Sequence, residues 1–339
     1  MKKCIFFVLS FFLSSYSVFA RGRQELVPAS SWIYDAMAAI AMEEGRLDLS
    51  DQAPISIAEI SLYLSECDYD SLSAAGKAQY DRIMDYIGYE PLSFRAGIFS
   101  LGAEPEINLE GQYKTNDDID WVYDRYQRQA LIDCPVYING GDYFTLSTDM
   151  CLKQNKGQMS HDDNYTNIPL AANQVDINFP DTGYGSFGCM LTKDSGVNFQ
   201  LGMGNQSVGR SLSGSVIMSE YFTNASYANL EFFHNNFRYN MNITQFNVDK
   251  YMYTHRLEVR LFKKFQFAAM ESILVNHSME LRFLNPLTIF HGMSPWRDYG
   301  DETGNLDKDD PESHTCAYMC FKIAYVPIKS LRIYLLFAQ

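Results

Sequence analysis

The residues best placed for chemistry lie on one predicted strand, where charged side chains recur at every second position. Arg256, Glu258 and Arg260 alternate in sign, and a strand places them on one face because its side chains point alternately to opposite sides. His255 adds a titratable imidazole to the same strand. These groups can form a ladder of ion pairs, or they can contact a polar ligand. Both roles stay open here, and His255, Arg256 and Glu258 are candidates for ligand binding.

Glu271 is a further candidate because it conflicts with the pattern around it. The next predicted strand carries Phe265, Phe267 and Ala269 on one face, and Glu271 falls on that same apolar face. A carboxylate there is costly, above all if the face meets lipid. We therefore predict a β-bulge at Ala268–Ala269, which would shift the phase and turn the carboxylate to the polar side.

Downstream of these strands, an aromatic and acidic segment has the composition of a sugar-binding loop. Asn285–Pro286 predicts the end of a strand, because proline cannot donate to a ladder. His291 and Trp296 follow, close to the carboxylates of Asp298, Asp301 and Glu302. Aromatic rings can stack on sugar C–H faces while carboxylates accept sugar hydroxyls. A solvated acidic loop would have the same composition, so Asn285, His291 and Trp296 are candidates beside that simpler interpretation.

No catalytic constellation emerges from the rest of the chain. It contains no GxSxG, HExxH or P-loop motif. Its cysteines form no CxxC pair and show no zinc-ligand spacing. With 41 acidic residues, no carboxylate pair can be singled out as a glycosidase dyad. We therefore expect a protein that is not an enzyme and that uses neither a metal nor a cofactor.

The elements that must position these residues are strands. Roughly a dozen segments from about residue 98 onward alternate apolar and polar side chains. The clearest is 237–244, where Phe, Tyr, Met and Ile alternate with Arg, Asn, Asn and Thr. The chain also has 23 Tyr and 23 Phe, enough for two interfacial girdles. The pattern favours a mainly β protein, a transmembrane antiparallel β-barrel, although a soluble sandwich would alternate equally well.

The first residues indicate export. Lys2 and Lys3 precede an apolar core, and Val18–Ala20 matches a signal-peptidase site, so 1–20 are predicted to be removed. Arg21 follows the cut where a lipoprotein would have cysteine. Loss of two lysines takes the formal charge from −14 to −16, which argues against nucleic acid as a partner. The six cysteines that remain are expected to be mostly unpaired and buried: Cys67, Cys134, Cys151, Cys189, Cys316 and Cys320.

Residues 21–92 have a helical rather than a strand period and are predicted to form a small periplasmic domain ahead of a barrel at 93–339. Three helices are expected between Ser30 and Ile87, with Ser30 or Ser31 capping the first and Gly45 ending it. Ser56 and Glu59 form a capping box, in which Glu59 should reach back to the Ser56 N–H. The core is thin, so this domain should pack on another part of the protein.

Several short motifs in the strand region are similar to those of a known family. The central ones are Thr254–Arg260, Glu271 and Leu284–Leu287, and the upstream ones are Leu201–Gly204 and Ser213–Ser219. Together they resemble the signature of the Wzi-type capsule-assembly proteins of the outer membrane. The resemblance implies a barrel preceded by a periplasmic helical bundle, embedded in outer-membrane lipid, with surface polysaccharide as its partner.

This sequence departs from the family's pattern in two places. Asn205–Gln206 stand where the family pattern has a tryptophan-glycine pair near Gly204. The sequence ends at Gln339 where the family continues with several more strands. We therefore expect a C-terminally incomplete barrel, as in a truncated member of that family.

The helical segment also resembles an S-layer homology repeat, a module that holds cell-wall glycans. Trp32, Tyr34 and Gly45, followed by Pro54–Glu59, carry this similarity. Ser-Ile-Ala-Glu stands in place of the module's usual Thr-Arg-Ala-Glu, so the arginine is missing. Peptidoglycan is therefore a candidate partner of the helical domain, beside a purely structural role for the segment.

The expected function is binding or assembly of capsule-like surface polysaccharide by this outer-membrane barrel. The alternative is a general porin, whose acidic lumen would favour cations. An outer-membrane hydrolase is a third class, which would need two carboxylates about 5–10 Å apart in one cleft. Aromatic side chains in external loops favour the glycan role, and a ring of charges favours the pore.

Overall fold

The computed structural model forms two compact units. It describes residues 21–48, 50–89, 92–116, 118, 129–154, 165–169, 172, 175–178, 182–211, 214–219, 225–290 and 315–339. Among these, the first unit takes in 92–141 and 146–183, and the second takes in 21–89, 142–145 and 184–339. The helical region therefore shares its unit with the later strands.

Among the described residues of the second unit, three α-helices occur where the sequence predicts them: α1 Ile33–Glu44, α2 Ile57–Leu64 and α3 Ala74–Gly88. Gly45 ends α1 at a φ of 75°, which glycine adopts without strain. Ser31 Oγ accepts from the Ile33 N–H at 3.3 Å, although the residue at the N-cap position is Trp32. Two short strands, β1 Leu26–Val27 and β2 Ile55–Ser56, pair beside them. No described helix is long and apolar enough to cross a membrane.

The predicted capping box at the start of α2 is half correct. Ser56 Oγ accepts from the Glu59 N–H at 3.3 Å, as a capping serine should. The Glu59 carboxylate does not reach back, because it forms an ion pair with Arg238 instead. A capping role for Glu59 was therefore wrong, and its acid group belongs to a long-range interaction.

Ser56→Ala should lower the free energy of unfolding by about 1 kcal/mol, because the first turn of α2 loses an acceptor for an otherwise unpaired N–H. The loss can be measured from chemical denaturation of the full chain in detergent, followed by circular dichroism. Ser56→Thr keeps an accepting oxygen and should lose less. Equal losses in the two variants would show that the hydroxyl does not act as a cap.

The first unit contains strands that pair antiparallel. In chain order they are β3 Leu92–Ala96, β4 Phe99–Ala103, β5 Glu106–Ile107, β6 Gly111–Gln112, β7 Ile132–Gly140, β8 Phe144–Gln154, β9 Tyr165–Thr166 and β10 Val175–Asn178. The first two residues of β8 belong to the second unit. The spatial order is β3, β4, β7, β8, with β10 beside β8, β5 beside β7, and β6 paired with β9. The predicted polar loop 154–178 therefore contains two short strands in its described part.

Besides β1 and β2, the second unit contains ten of the described strands, among them the two longest, of 12 and 14 residues. The ten are β11 Gly183–Thr192, β12 Ser195–Gly204, β13 Val208–Ser211, β14 Gly214–Met218, β15 Ala225–His234, β16 Phe237–Asn247, β17 Lys250–Leu261, β18 Phe265–Val275, β19 Thr315–Ile328 and β20 Leu331–Ala338. Among the described residues, eight are neighbours in the order β11, β12, β15, β16, β17, β18, β19, β20, while β13 pairs with β14. No pairing described within this unit joins β11 to β20, so the large antiparallel sheet is not closed there.

On several of these strands, polar side chains are more deeply buried than their apolar neighbours. Asn198 and Gln200 on β12 are fully buried, whereas their neighbours Phe199 and Leu201 are 41% and 57% exposed. The same holds on β16, where Arg238, Asn240, Asn242 and Thr244 are all buried. A soluble sandwich buries its apolar faces, so this burial is the reverse of what the sandwich alternative requires.

The helical region lies at the end of the sheet where most hairpin turns are short. Leu47 N–H donates to the Lys263 carbonyl in the β17–β18 turn at 2.8 Å. Ser330 N–H, in the β19–β20 turn, donates to the Met42 carbonyl at 2.8 Å. The long connection between β18 and β19 leaves the opposite end of these strands. The predicted loop 297–313 falls within that connection, outside the described residues.

The sequence predicts that the six cysteines are mostly unpaired, and Cys67, Cys134, Cys189, Cys316 and Cys320 are free thiols in this structure. The expectation that they are buried was correct only for Cys320, because Cys316 is exposed and the remaining four are half-buried.

Candidate functional site

The register of neighbouring strands assembles a row of charges on the buried face. Arg238 on β16 lies opposite Glu258 on β17, and Asn240 lies opposite Arg256. Arg238 Nη2 approaches Glu231 Oε1 on β15 at 2.8 Å. Arg256 Nε lies 2.8 Å from Glu258 Oε1. The predicted pairing of Arg256 with Glu258 is therefore present, and Arg238 extends it to a third strand.

The helical region contributes directly to this row. Glu59 Oε1 on α2 lies 3.0 Å from Arg238 Nε. Ser50 Oγ donates to Glu258 Oε1 at 2.8 Å and accepts from Arg238 Nη1 at 2.9 Å. Arg238 thus holds groups from β15, β17 and the helical region together.

Asp51 forms a second connection between the helical region and the strands. It is ion-paired with Arg256 on β17, and Lys322 Nζ on β19 donates to its Oδ2 at 2.5 Å. Burial opposes the charged form of Asp51, but Arg256 and Lys322 lower its pKa to about 2, so it stays ionised. Beyond it the chain continues in extended form, where Ala53 and Ser207 exchange backbone hydrogen bonds of 2.9 Å.

We call these seven side chains the inner charge network: Asp51, Glu59, Glu231, Arg238, Arg256, Glu258 and Lys322. Each is at most 3% exposed. They comprise four carboxylates and three cations, so the network carries one negative charge too many if all are ionised. Since an unbalanced buried charge is costly, one carboxylate should hold a proton.

The proton is best placed on Glu59. Burial raises the pKa of Glu59 to about 8; Arg238 opposes that rise, while Glu231 and Glu258 add to it. A protonated Glu59 leaves three carboxylates facing three cations. The helical region is therefore held on the strands by a network that becomes neutral when one carboxylate, for which Glu59 is the best candidate, is protonated.

A second cluster of charged side chains lies near the β17–β18 turn. Arg260 Nη2 donates to both carboxylate oxygens of Glu66, at 2.8 and 2.7 Å, and Arg260 Nη1 donates to the Leu47 carbonyl at 3.0 Å. Arg46 Nη1 lies 3.6 Å from Glu66 Oε2. Arg260 shares its face with Arg256 and Glu258, as predicted, but it pairs with the helical region and not along the ladder.

The opposite face of β17 carries His255 and, in register on β18, Glu271. Pairing through Ala268 and Ala269 is unbroken on both sides of β18, so the predicted bulge was wrong. A segment of the β18–β19 connection covers this part of the face, and the centres of the Phe290 and His255 rings are 4.5 Å apart. Glu271 is half-buried on this face, where it lies opposite His255 in the register of β17 and β18.

Asn285 lies in the same covering segment. It follows a 3-10 turn at Leu281–Leu284, so the prediction that Asn285–Pro286 ends a strand was wrong. The Asn285 side chain accepts from the Leu287 N–H at 3.1 Å and stabilises the turn. The Pro286 carbonyl accepts from the Tyr239 hydroxyl at 3.3 Å, which fixes the segment to β16.

The structure therefore separates the predicted site residues into two groups. Arg256 and Glu258 belong to the buried network, whereas His255, Glu271 and Asn285 lie on the opposite side of the sheet. His291 and Trp296, with the nearby acids of the predicted sugar-binding loop, lie outside the described residues.

Sequence reasoning missed the partners of the ladder. Arg238 was visible as a polar position in the most regular alternating segment, and that alternation was the signal available for it. Glu59 was attributed to helix capping. Asp51 and Lys322 carried no local signal, because their interaction depends on chain segments that only the fold brings together.

A cavity of about 360 Å³ lies next to the network, between α1, the residues Asp48 and Ser50–Gln52, and β20. Asp51 is shared between the cavity wall and the network. Within the described part of the chain, no group of three or more His, Cys, Asp or Glu is arranged to hold a metal ion.

The comparison with solved structures gives a likeness at the level of fold. The chain is similar to Wzi, described as an outer membrane protein involved in group 1 capsule assembly in Escherichia coli and as a carbohydrate-binding β-barrel. The TM-score is 0.53 at 11% sequence identity, over 92% of this chain and 63% of Wzi. The chain thus spans less than two thirds of the length of that structure. No protein-family model and no curated protein sequence matches it.

Proposed function

We propose that this protein is an outer-membrane β-barrel that binds, or helps to assemble, a capsule-like surface polysaccharide. The observation that carries the proposal is the reversed burial on strands such as β12, where Asn198 and Gln200 are buried while the apolar Phe199 and Leu201 are exposed. Exposed apolar faces suit strands surrounded by lipid. The fold-level likeness to a carbohydrate-binding outer-membrane barrel supports the same role.

The inner charge network favours a binding role over the alternative of a general porin. A diffusion channel needs water along its inner face. Five charged side chains on this face are at most 3% exposed, and the helical region, which supplies Asp51 and Glu59, covers them. The position of the helices at the short-turn end supports placing them on the periplasmic side, because barrels have short periplasmic turns.

Two parts of the proposal rest on sequence. Export would use the signal peptide, with cleavage near Ala20. Contact of the helical region with peptidoglycan would use the segment that resembles an S-layer homology repeat, although Glu59 in that segment is paired with Arg238.

Fractionation and binding experiments test the proposal together. The protein should be recovered in the outer-membrane fraction and should migrate faster on gels when it is not heated. The purified protein should retain acidic or neutral capsular polysaccharide on a column, while bovine albumin on the same matrix should not. Recovery from the soluble periplasm would contradict the membrane location. Ion conductance in planar bilayers without polysaccharide retention would favour the porin.

A further inference from the structure

The cavity beside α1 has the composition of a small-molecule site. Apolar side chains form one part of its wall, among them Ala38, Ala39 and Met42 of α1. Two tyrosine rings, Tyr34 and Tyr334, add flat surface. At about 360 Å³, it lies at the small end of the range of about 300–1,000 Å³ for ligand pockets.

Two arginines line the cavity in similar surroundings. Arg210 Nη2 lies 2.9 Å from Asp35 Oδ1, and its guanidinium carbon is 5.4 Å from the centre of the Tyr34 ring. Arg332 Nη1 lies 3.4 Å from Asp48 Oδ2, and its guanidinium carbon is 5.6 Å from the Tyr334 ring centre. Each arginine thus has one carboxylate and one aromatic ring beside it, although Asp35 is 80% exposed and Asp48 is only 13% exposed.

Some polar atoms of these side chains have no partner within the described structure. Arg210 Nη1 and Arg332 Nε are buried donors without an acceptor, and Asp48 Oδ1 is a buried acceptor without a donor. Buried polar groups are normally satisfied, so these three side chains retain capacity for both donated and accepted hydrogen bonds. A hydroxyl group supplies both.

The charges of the wall select among hydroxylated ligands. Asp35 and Asp48 neutralise the two arginines, and Asp51 is held by Arg256 and Lys322. The wall therefore carries no surplus positive charge for a phosphate or a uronate. Aromatic faces, paired guanidinium and carboxylate groups, and overall neutrality match a neutral sugar, whose C–H faces stack and whose hydroxyls bridge donors and acceptors.

We propose that this cavity binds one or two neutral hexopyranose units, with Tyr334 as the stacking surface and with Arg332, Asp48 and Arg210 as the hydrogen-bonding groups. The inference rests on the proposed function, since it assigns a sugar site to a carbohydrate-binding barrel.

The test uses calorimetric titration of the full chain in detergent with glucose, galactose, mannose, maltose, lactose and cellobiose. Glucuronate and inorganic phosphate serve as anionic probes. Ala39→Trp adds a large side chain at the mouth of the cavity without removing a polar group, and Ala75→Trp places the same side chain on an exposed part of α3 that does not line the cavity. Both variants must keep the heat-modifiable gel mobility of the wild type. A second cavity variant, Tyr334→Ala, removes the stacking ring.

At least one neutral sugar should bind, and Ala39→Trp should weaken its binding by at least about tenfold while Ala75→Trp leaves it unchanged. Equal affinity in Ala39→Trp, Tyr334→Ala and wild type would overturn the cavity assignment and leave carbohydrate binding intact. Retention of whole polysaccharide without binding of any small sugar would also overturn the cavity assignment and leave carbohydrate binding intact. Binding of phosphate or glucuronate alone would also overturn it. Loss of both small-sugar and polysaccharide binding would defeat the proposed function as well.

Discussion

Arg238→Ala should lower the free energy of unfolding by about 3–5 kcal/mol, because it leaves Glu59, Glu231 and Glu258 buried without their shared cation. The measurement is chemical denaturation of the detergent-solubilised chain, followed by circular dichroism. Lys193→Ala provides the control, since its ion pair with Asp194 is exposed and should contribute at most about 1 kcal/mol. A loss in Arg238→Ala no larger than that of the control would show that the network does not hold the helical region.

A double-mutant cycle separates the ion pair from general damage to the fold. Above about pH 8, where Glu59 is ionised, Arg238→Gln should cost less in a chain that already carries Glu59→Gln, because one of the uncompensated carboxylates is then absent. Strict additivity of the two substitutions would contradict a direct interaction between them.

The second large effect is a dependence of stability on pH that Glu59 controls. Its pKa is raised from 4.5 to about 8 in the folded protein. Folding therefore favours the protonated form, and its contribution is fully present below about pH 4.5 and is lost as the pH rises to about 8. The slope in that window is at most about 1.4 kcal/mol per pH unit.

Glu59→Gln should abolish most of this slope, because the amide resembles the protonated acid and cannot lose a proton. Melting curves between pH 4.5 and 9 would show it, with the variant more stable than wild type at the alkaline end. Asp85→Asn removes an exposed carboxylate of α3 and should keep the wild-type profile. If the stabilities of wild type and Glu59→Gln change with pH in parallel, the extra proton is bound by a group other than Glu59.

Local periodicity predicted much of the fold. The alternation of 237–244 identified β16, and the same period placed Arg256, Glu258 and Arg260 on one face. The starts and ends of the helices followed from capping serines and from Gly45. These features depend on neighbours in sequence. A strand's alternation of apolar and polar residues, or a helix cap, can therefore be recognised without knowledge of the rest of the chain.

The partners of the site could not be read in this way. Ser50 and Arg238 lie 188 positions apart, and no local pattern indicates that they meet. The bulge was predicted because the whole apolar face was assumed to meet lipid. In the structure, a covering segment with Phe290 lies against His255 on that face, so Glu271 needs no change of phase. Alternation alone also does not decide which face is buried, and that decision separates a barrel from a sandwich.

The central claim is that the exposed apolar face of the second unit meets lipid. Spin labels at positions 201 and 335, where the native leucines are 57% and 64% exposed, test it most directly in reconstituted bilayers. A label at Lys193, in a short turn, is the control. Labels on the strands should collide more with oxygen dissolved in lipid than with a water-soluble nickel chelate, and the control should show the opposite. If the chelate dominates at positions 201 and 335, these faces lie in water and the outer-membrane account is contradicted.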